Sequence, residues 1–191
     1  MINNLERMNL FPVQVHKATP NLDHMIIADY TISQSKFWKR YTTYKDPEAN
    51  NRWLTRLPQR KLLEQSIIDF ADEYLKQTNR PVRHKKPNLM LWANVYSQHI
   101  SHDLHNHANA LLSGIYYPQA DTNSSPIIFH SPWEKLLMYD YFLLENGSSH
   151  FVIYPKSGDM LIWPSWLDHR MPTQGASDIQ RISIPFNITY L

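Results

Sequence analysis

The second half of the chain is a series of short apolar segments separated by proline, glycine and asparagine, and this pattern constrains the fold most. Six segments are predicted strands: 88–96, 105–117, 126–130, 150–154, 159–163 and 180–190. Ser157-Gly158-Asp159 is a turn signal between two of them. The last strand alternates regularly, with Ile182, Ile184, Phe186 and Ile188 on one face. The pattern predicts a double-sheet jelly-roll.

The first half is expected to supply helices that back the sheets, giving a mainly β fold of the α+β class. Apolar residues recur at helical spacing between Gln59 and Gln77, which predicts one amphipathic helix with a core-facing stripe. Asn21-Leu22-Asp23 offers a cap for a helix beginning at His24. Leu10 to His16 is consistent with a short opening strand. Ser33 to Arg56 reads either as a long loop covering a site or as an irregular surface connection.

Composition favours one compact domain over residues 1–191, with 1–87 as strand, helices and covering loop and 88–191 as the strand-rich core. Apolar residues make up 42% of the 191 and the net charge is +2. The only basic cluster, Arg80, Arg83, Lys85 and Lys86, favours a solvated turn over a nucleic-acid surface. No segment resembles a signal peptide or a membrane span, so a cytoplasmic location is expected.

Histidines are the candidate metal ligands. The chain has no cysteine, so a metal site must use histidine, carboxylate or carbonyl ligands. In an extended strand His105 and His107 would project from one face, and His169 is the candidate third ligand. The alternative is a solvated histidine-rich loop. Four further histidines are expected to be structural or surface residues: His99, His102, His130 and His150.

Arg181 and Ser183 are a candidate anion site because alternate residues of the last predicted strand point the same way. Guanidinium binds a carboxylate through two hydrogen bonds and the hydroxyl adds another donor. The alternative is a salt bridge on an edge strand.

The motifs and their order resemble those of the 2-oxoglutarate- and Fe(II)-dependent oxygenases of the prolyl-hydroxylase-like superfamily. The resemblance covers about residues 88–191 and also fits the opening Phe11-Pro12-Val13. It is carried by Trp92-x-Asn94, His105-x-His107, Leu112-Ser113-Gly114-Ile115-Tyr116-Tyr117, Gly158-Asp159, Trp163-Pro164-Ser165-Trp166-Leu167-x-His169 and Arg181-Ile182-Ser183-x-x-Phe186-Asn187.

The resemblance implies a double-stranded β-helix, as in cupins, that binds Fe(II) and uses 2-oxoglutarate as cosubstrate. His105 and His169 would bind iron, and Arg181 would pair with the far carboxylate of 2-oxoglutarate. Ser183 and Tyr117 would assist Arg181. The implied reaction consumes O2, releases succinate and CO2, and hydroxylates a C–H bond of a peptide side chain or small metabolite. Residues 33–56 and 131–149 are polar and aromatic enough to line the substrate site.

One motif departs from the superfamily, most of which has His-x-Asp where this chain has His105-x-His107. A third histidine would give a neutral ligand set and leave more positive charge at the iron. Asp103 lies on the same predicted strand face and is the alternative carboxylate ligand.

Two other functional classes are consistent with the pattern. One is a non-catalytic jelly-roll module that binds or has a structural role, because fold alone does not establish activity. The other is a three-histidine dioxygenase of the cupin type that uses no keto acid. Arg181 with Ser183 argues against both, since neither class requires a buried cation at that position.

Overall fold

A computed structural model describes residues 12–80, 86–97, 99–133, 149–173 and 179–191. Its helices are α1 (His24–Ser35), α2 (Pro47–Thr55) and α3 (Arg60–Gln77). Its strands are β1 (His16–Ala18), β2 (Pro87–Leu91), β3 (Asn94–Tyr96), β4 (His102–His105), β5 (Leu112–Gln119), β6 (Ile127–His130), β7 (His150–Ile153), β8 (Met160–Pro164), β9 (His169–Met171) and β10 (Arg181–Tyr190). None of the described helices is long and apolar enough to cross a membrane.

The strands form two antiparallel sheets, as the predicted double-stranded β-helix requires. The larger sheet has the order β1-β8-β5-β10-β2, with β3 also paired to β10. The smaller sheet has the order β4-β9-β6-β7. Apolar side chains of β5 and β8 pack against those of β6, so the two sheets face each other across a shared core.

Strand alternation places the larger sheet between two apolar layers. Ile184, Phe186 and Ile188 point from β10 into the core formed with the helices, and all three are fully buried. Ile115 and Tyr117 point the other way, into the core between the sheets. Helix α3 contributes its predicted stripe to the helix-side core. The odd-numbered face of β10 is therefore directed away from the helices.

Helix ends explain one confirmed prediction and one error. The Asp23 side chain accepts a hydrogen bond from Ile26 N at 3.1 Å and caps α1, as predicted. The prediction of an unstructured loop over 33–56 was wrong, because α2 lies within it and is capped by Asp46. Buried Trp53 anchors α2 to α1 through an indole hydrogen bond to Thr31 Oγ1 at 3.2 Å. Helix α2 was missed because its sequence is mostly polar and Trp53 is its only large buried side chain, so no helical period was recognised.

Two predicted strands are each divided in the structure. Residues 105–117 are not one strand: β4 pairs with β9 in the smaller sheet, while β5 pairs with β8 and β10 in the larger one. Residues 88–96 divide into β2 and β3 at Trp92, whose N–H bonds to the carbonyl of Pro185 at 3.2 Å. Pro185 has no N–H to return, which weakens the ladder at that point.

Strand ends account for the remaining differences. Strand β1 begins only at His16, and Pro12 to Val15 precede it without strand structure. His169 does not follow a strand at a rim but begins β9, which is too short to alternate visibly. The turn before β8 is confirmed, with Gly158 at a φ of +88°. Arg83, Lys85 and most of 131–149 lie outside the described residues.

Candidate functional site

Three histidines converge where the two sheets are joined. His105, His107 and His169 each offer a ring nitrogen, and these three atoms lie within 4.8 Å of one another. The ring centroids of His105 and His169 are 4.4 Å apart, and His107 lies 5.2 and 5.3 Å from them. Small rotations of the rings would let one metal ion contact all three.

Backbone pairing brings these histidines together. His105 ends β4 and is directly paired with His169 at the start of β9. His107 was predicted to lie on the same strand as His105, and this prediction was wrong. It lies in the segment after β4, where its backbone N–H donates to the carbonyl of Ser165 at 2.9 Å. The Asn106 amide donates to an Asp168 carboxylate oxygen at 2.7 Å, so the two ligand-bearing segments are tied beside the cluster.

Hydrogen bonds at Nδ1 orient two of the rings. Nδ1 of His105 lies 2.7 Å from the carbonyl of Asp103, and Nδ1 of His169 lies 2.9 Å from that of Leu167. A carbonyl only accepts, so both rings carry their proton on Nδ1 and present the lone pair of Nε2. This is the tautomer that a metal ligand requires.

Burial keeps two of the three histidines uncharged. It lowers the pKa of His169 to about 3 and that of His107 to about 4, with a smaller contribution from the neighbouring His105 to each shift. Both imidazoles are therefore uncharged near neutral pH, and each has one ring nitrogen without a proton.

These shifts predict that the metal-free protein loses stability as the pH falls from about 6.5 towards 4. The folded pKa values lie below the ordinary value of 6.5, so the unfolded chain takes up protons first. The contribution of these two histidines to the free energy of unfolding is complete above pH 6.5 and declines below that pH. Urea unfolding of the metal-free protein at several pH values is the measurement. His169→Gln should flatten the dependence, and equal slopes for wild type and His169→Gln would contradict the assignment.

A cavity of about 490 Å³ opens over the histidines, and Arg181 lies in its wall. Arg181 is 1% exposed, its guanidinium is 4.9 Å from the Tyr96 ring and 5.0 Å from the Tyr117 ring, and Nε has no hydrogen-bond partner. The ion pairs of the described residues do not include Arg181. A buried cation without an anion is costly, so this wall is suited to bind one.

The groups around Arg181 are neutral hydrogen-bonding groups. The Tyr117 hydroxyl lies 3.4 Å from the Arg181 guanidinium, and burial raises the pKa of this phenol despite the opposing effect of Arg181. Ser183 is fully buried, its hydroxyl has no hydrogen-bond partner, and it is not one of the residues that line the cavity. Asn94, which sequence reasoning gave no role, lines the cavity with an unpaired side-chain oxygen.

Four residues of the segment before α2 line the cavity: Tyr41, Thr42, Tyr44 and Lys45. The covering role expected of residues 33–56 stays a prediction. Tyr44 packs on Trp92 at 5.1 Å, and Trp92 lies 6.1 Å from the ring of His107. His102, expected to be merely structural, lines the cavity and lies 3.1 Å from the Tyr41 hydroxyl. Burial lowers the pKa of His102 to about 4, with further lowering from His105. The contact between His102 and Tyr41 joins residues far apart in the sequence, so the alternation of residues on β4 does not predict it.

The model of a family described as "Putative 2OG-Fe(II) oxygenase" matches residues 90–187, just over half of the chain. The chain belongs to the 2OG-Fe(II) oxygenase family. The resemblance inferred from the motifs is thereby confirmed, and Fe(II) and 2-oxoglutarate are the cofactor and cosubstrate of this enzyme class. The oxygenase has no match among curated protein sequences.

Solved structures show the same fold at low sequence identity. The α-ketoglutarate-dependent epimerase SnoN from nogalamycin biosynthesis superposes with a TM-score of 0.58 at 12% identity, over 93% of this chain and 78% of SnoN. HygX from Streptomyces hygroscopicus with nickel and 2-oxoglutarate bound gives 0.55 at 12%, over 92% and 82%. A Pseudomonas putida prolyl-4-hydroxylase gives 0.54 at 10%, over 92% and 86%.

The residues of this oxygenase fit the two small molecules that its family uses. Three imidazoles suit a divalent transition metal, and the buried guanidinium in the same cavity, which has no ion-pair partner among the described residues, suits a carboxylate. Asp103 is exposed and is not part of the group of close ligand atoms. The group of close ligand atoms thus includes His107 and not Asp103.

Proposed function

We propose that the protein is a 2-oxoglutarate-dependent hydroxylase in which His105, His107 and His169 bind Fe(II). The observation that carries this proposal is a three-histidine cluster that shares a cavity with a buried arginine, which has no ion-pair partner among the described residues. One oxygen atom of O2 would enter succinate as 2-oxoglutarate loses CO2, and the other would enter a C–H bond of the substrate. The bound iron supplies the oxygen activation.

The protein's contribution is placement and charge. Backbone carbonyls hold His105 and His169 with Nε2 free, so the ligand positions are set before metal binds. An all-histidine set adds no negative charge, which leaves the full charge of the ion to attract the dianionic cosubstrate. The buried hydrophobic surroundings of His169, including Trp163 at 5.0 Å, keep this side of the centre away from water.

We propose that Arg181 binds the far carboxylate of 2-oxoglutarate, with Tyr117 and Ser183 assisting Arg181. Arg181 combines burial with an unused donor, and Tyr117 already contacts its guanidinium. Because the phenol stays protonated, Tyr117 adds a donor without cancelling the positive charge. Ser183 has an unused hydroxyl on the same strand.

The cavity has room for a substrate group beside the cosubstrate. Its volume of about 490 Å³ is in the range of small-molecule sites, and Tyr41, Tyr44 and Trp92 offer aromatic faces on its outer side. We propose a peptide side chain or a small metabolite as substrate, and residues 1–191 as one oxygenase domain.

The test is succinate formation by purified protein with Fe(II), O2 and 2-oxoglutarate, in the presence of pooled peptides and metabolites and read by mass spectrometry. Succinate formation that requires both iron and 2-oxoglutarate supports the proposal. Metal binding without any 2-oxoglutarate binding would indicate the keto-acid-free dioxygenase. Absence of metal binding would indicate a non-catalytic module.

His107→Ala is expected to weaken metal binding far more than Asp103→Ala. His107 belongs to the group of close ligand atoms, whereas Asp103 is exposed and contributes its backbone carbonyl to the orientation of His105. The backbone contact survives a change of side chain. Anaerobic calorimetric titration with Mn(II) compares the variants, and the reverse order would make Asp103 the second ligand.

A further inference from the structure

We propose that Asn187 is a positioning residue that decides whether His107 can act as a metal ligand, an inference that rests on the proposed three-histidine site. Asn187 lies on β10, and its side-chain NH2 is 3.4 Å from Nδ1 of His107. Its side-chain oxygen accepts from the Ser113 hydroxyl at 2.7 Å. The three side chains form a chain of contacts from the strand ladder to the edge of the metal cluster.

His107 differs from the other two ligands in the chemistry of its Nδ1 partner. His105 and His169 face backbone carbonyls, which accept and cannot donate, so their tautomers are fixed. His107 faces a primary amide, which donates through nitrogen and accepts through oxygen. The tautomer of His107 therefore depends on which end of the amide is turned towards it.

The two amide orientations have opposite consequences for metal binding. With NH2 towards the ring, as in the structure, Nδ1 accepts and the proton of neutral His107 lies on Nε2, which then has no lone pair for a metal. With the oxygen towards the ring, Nδ1 donates and Nε2 presents its lone pair. Metal binding by His107 through Nε2 thus requires the amide to turn over about its Cβ–Cγ bond.

Ser113 permits that turn. Its side chain is buried on β5, directly paired with Asn187 in the ladder. A hydroxyl both donates and accepts, so Ser113 can donate to the amide oxygen in one orientation and accept from the amide NH2 in the other. The backbone pairing fixes Asn187 next to His107 in either case, and only the amide plane has to reverse.

Two substitutions of Asn187 test this role. A carboxylate can only accept, so Asn187→Asp should enforce the ligand tautomer and leave Zn(II) affinity equal to or tighter than wild type. Asn187→Ala removes the partner and should weaken Zn(II) binding roughly 10- to 100-fold, the range typical of outer-shell ligand partners. Adding Asn187→Ala to His107→Ala should cause no further loss.

The matched control is Asn88, an exposed asparagine on the neighbouring strand whose amide contacts Thr189. Asn88→Asp and Asn88→Ala should leave Zn(II) affinity unchanged. Long-range 1H–15N correlation spectra of the zinc-loaded wild type give a readout independent of activity. They should show Nδ1 of His107 protonated and Nε2 bound to zinc.

The outcomes distinguish the inference from the proposed function. If wild type binds Zn(II) but His107 carries its proton on Nε2, or if Asn187→Asp is weakened as much as Asn187→Ala, the role of Asn187 is refuted while the metal site stands. If wild type binds no metal, the proposed function itself fails. Tight binding by Asn187→Asp with weak binding by Asn187→Ala, together with a protonated Nδ1 of His107 in the spectra, supports the inference; the spectra are needed because aspartate has nearly the size of asparagine and would also preserve packing.

Discussion

His169→Ala is expected to abolish tight metal binding, with a loss larger than the roughly 100-fold that follows removal of an outer-shell partner. His169 is the most deeply buried of the three ligands, at 5% exposure, and its ring is held by the Leu167 carbonyl. A water molecule in place of the imidazole would be a weaker ligand, because the protein does not hold it in position. Anaerobic titration with Fe(II), combined with metal analysis of the purified variant, measures the loss.

The burial that makes His169 a good ligand also makes its removal structurally costly, so a second variant is needed. His169 packs against Trp163 at 5.0 Å and Phe129 at 6.0 Å, and truncation leaves a gap beside both rings. His105→Ala, at a half-buried position, removes a ligand with less effect on the core. His150→Ala, on the exposed part of β7, is the control. Full metal occupancy in both ligand variants would place the site elsewhere.

The fold class and the long elements could be predicted because their signals are local. Strand β10 alternates without interruption from Ile182 to Ile188, and burial follows that alternation. Helix α3 repeats its apolar stripe over five turns. In both cases the residues that face the core are fixed by the geometry of a single element, so no knowledge of its partners is needed.

The elements that sequence reasoning missed depend on partners distant in sequence. The break between β4 and β5 exists because the chain leaves one sheet for the other, and neither segment changes its own alternation there. Strand β9 is three residues long and is defined by its pairing with β4 and β6. Helix α2 is held by one buried tryptophan whose partner, Thr31, lies on α1.

The three candidate ligands lie together in the structure, but for His107 the reason given from the sequence was wrong. Strand alternation was expected to place His107 beside His105, yet His107 reaches the cluster from the segment that crosses between the sheets. The proximity arises from the backbone bond between His107 and Ser165 and from the tie between Asn106 and Asp168. The contact of Asn187 with His107 is also tertiary, so no motif in the sequence predicts it.

Arg181 is the residue whose replacement should most affect the cosubstrate. A carboxylate left without a charged partner in a partly desolvated pocket typically costs on the order of 3 kcal/mol or more. Arg181→Ala should therefore raise the dissociation constant for 2-oxoglutarate roughly a hundredfold or more while metal content stays nearly unchanged. Arg181→Lys should recover only part of the loss, because a point charge does not reproduce the two parallel hydrogen bonds of guanidinium. Calorimetric titration of the metal-loaded proteins is the measurement.

Two further variants serve as controls for the Arg181 experiment: Arg181→Met removes the charge but keeps most of the volume, and Arg170→Met removes another arginine of the same cavity. Methionine at 181 fills most of the buried volume without charge, and since Arg181 has no described ion-pair partner, the metal-free variant should be at least as stable as wild type. Arg170 lines the same cavity but bonds to His130 at 3.2 Å, so Arg170→Met should leave 2-oxoglutarate affinity nearly unchanged. Equal affinity in wild type, Arg181→Ala and Arg181→Met would remove Arg181 from the cosubstrate site. It would also remove the strongest structural reason, within this cavity, for preferring a keto-acid-dependent enzyme over a three-histidine dioxygenase that uses none.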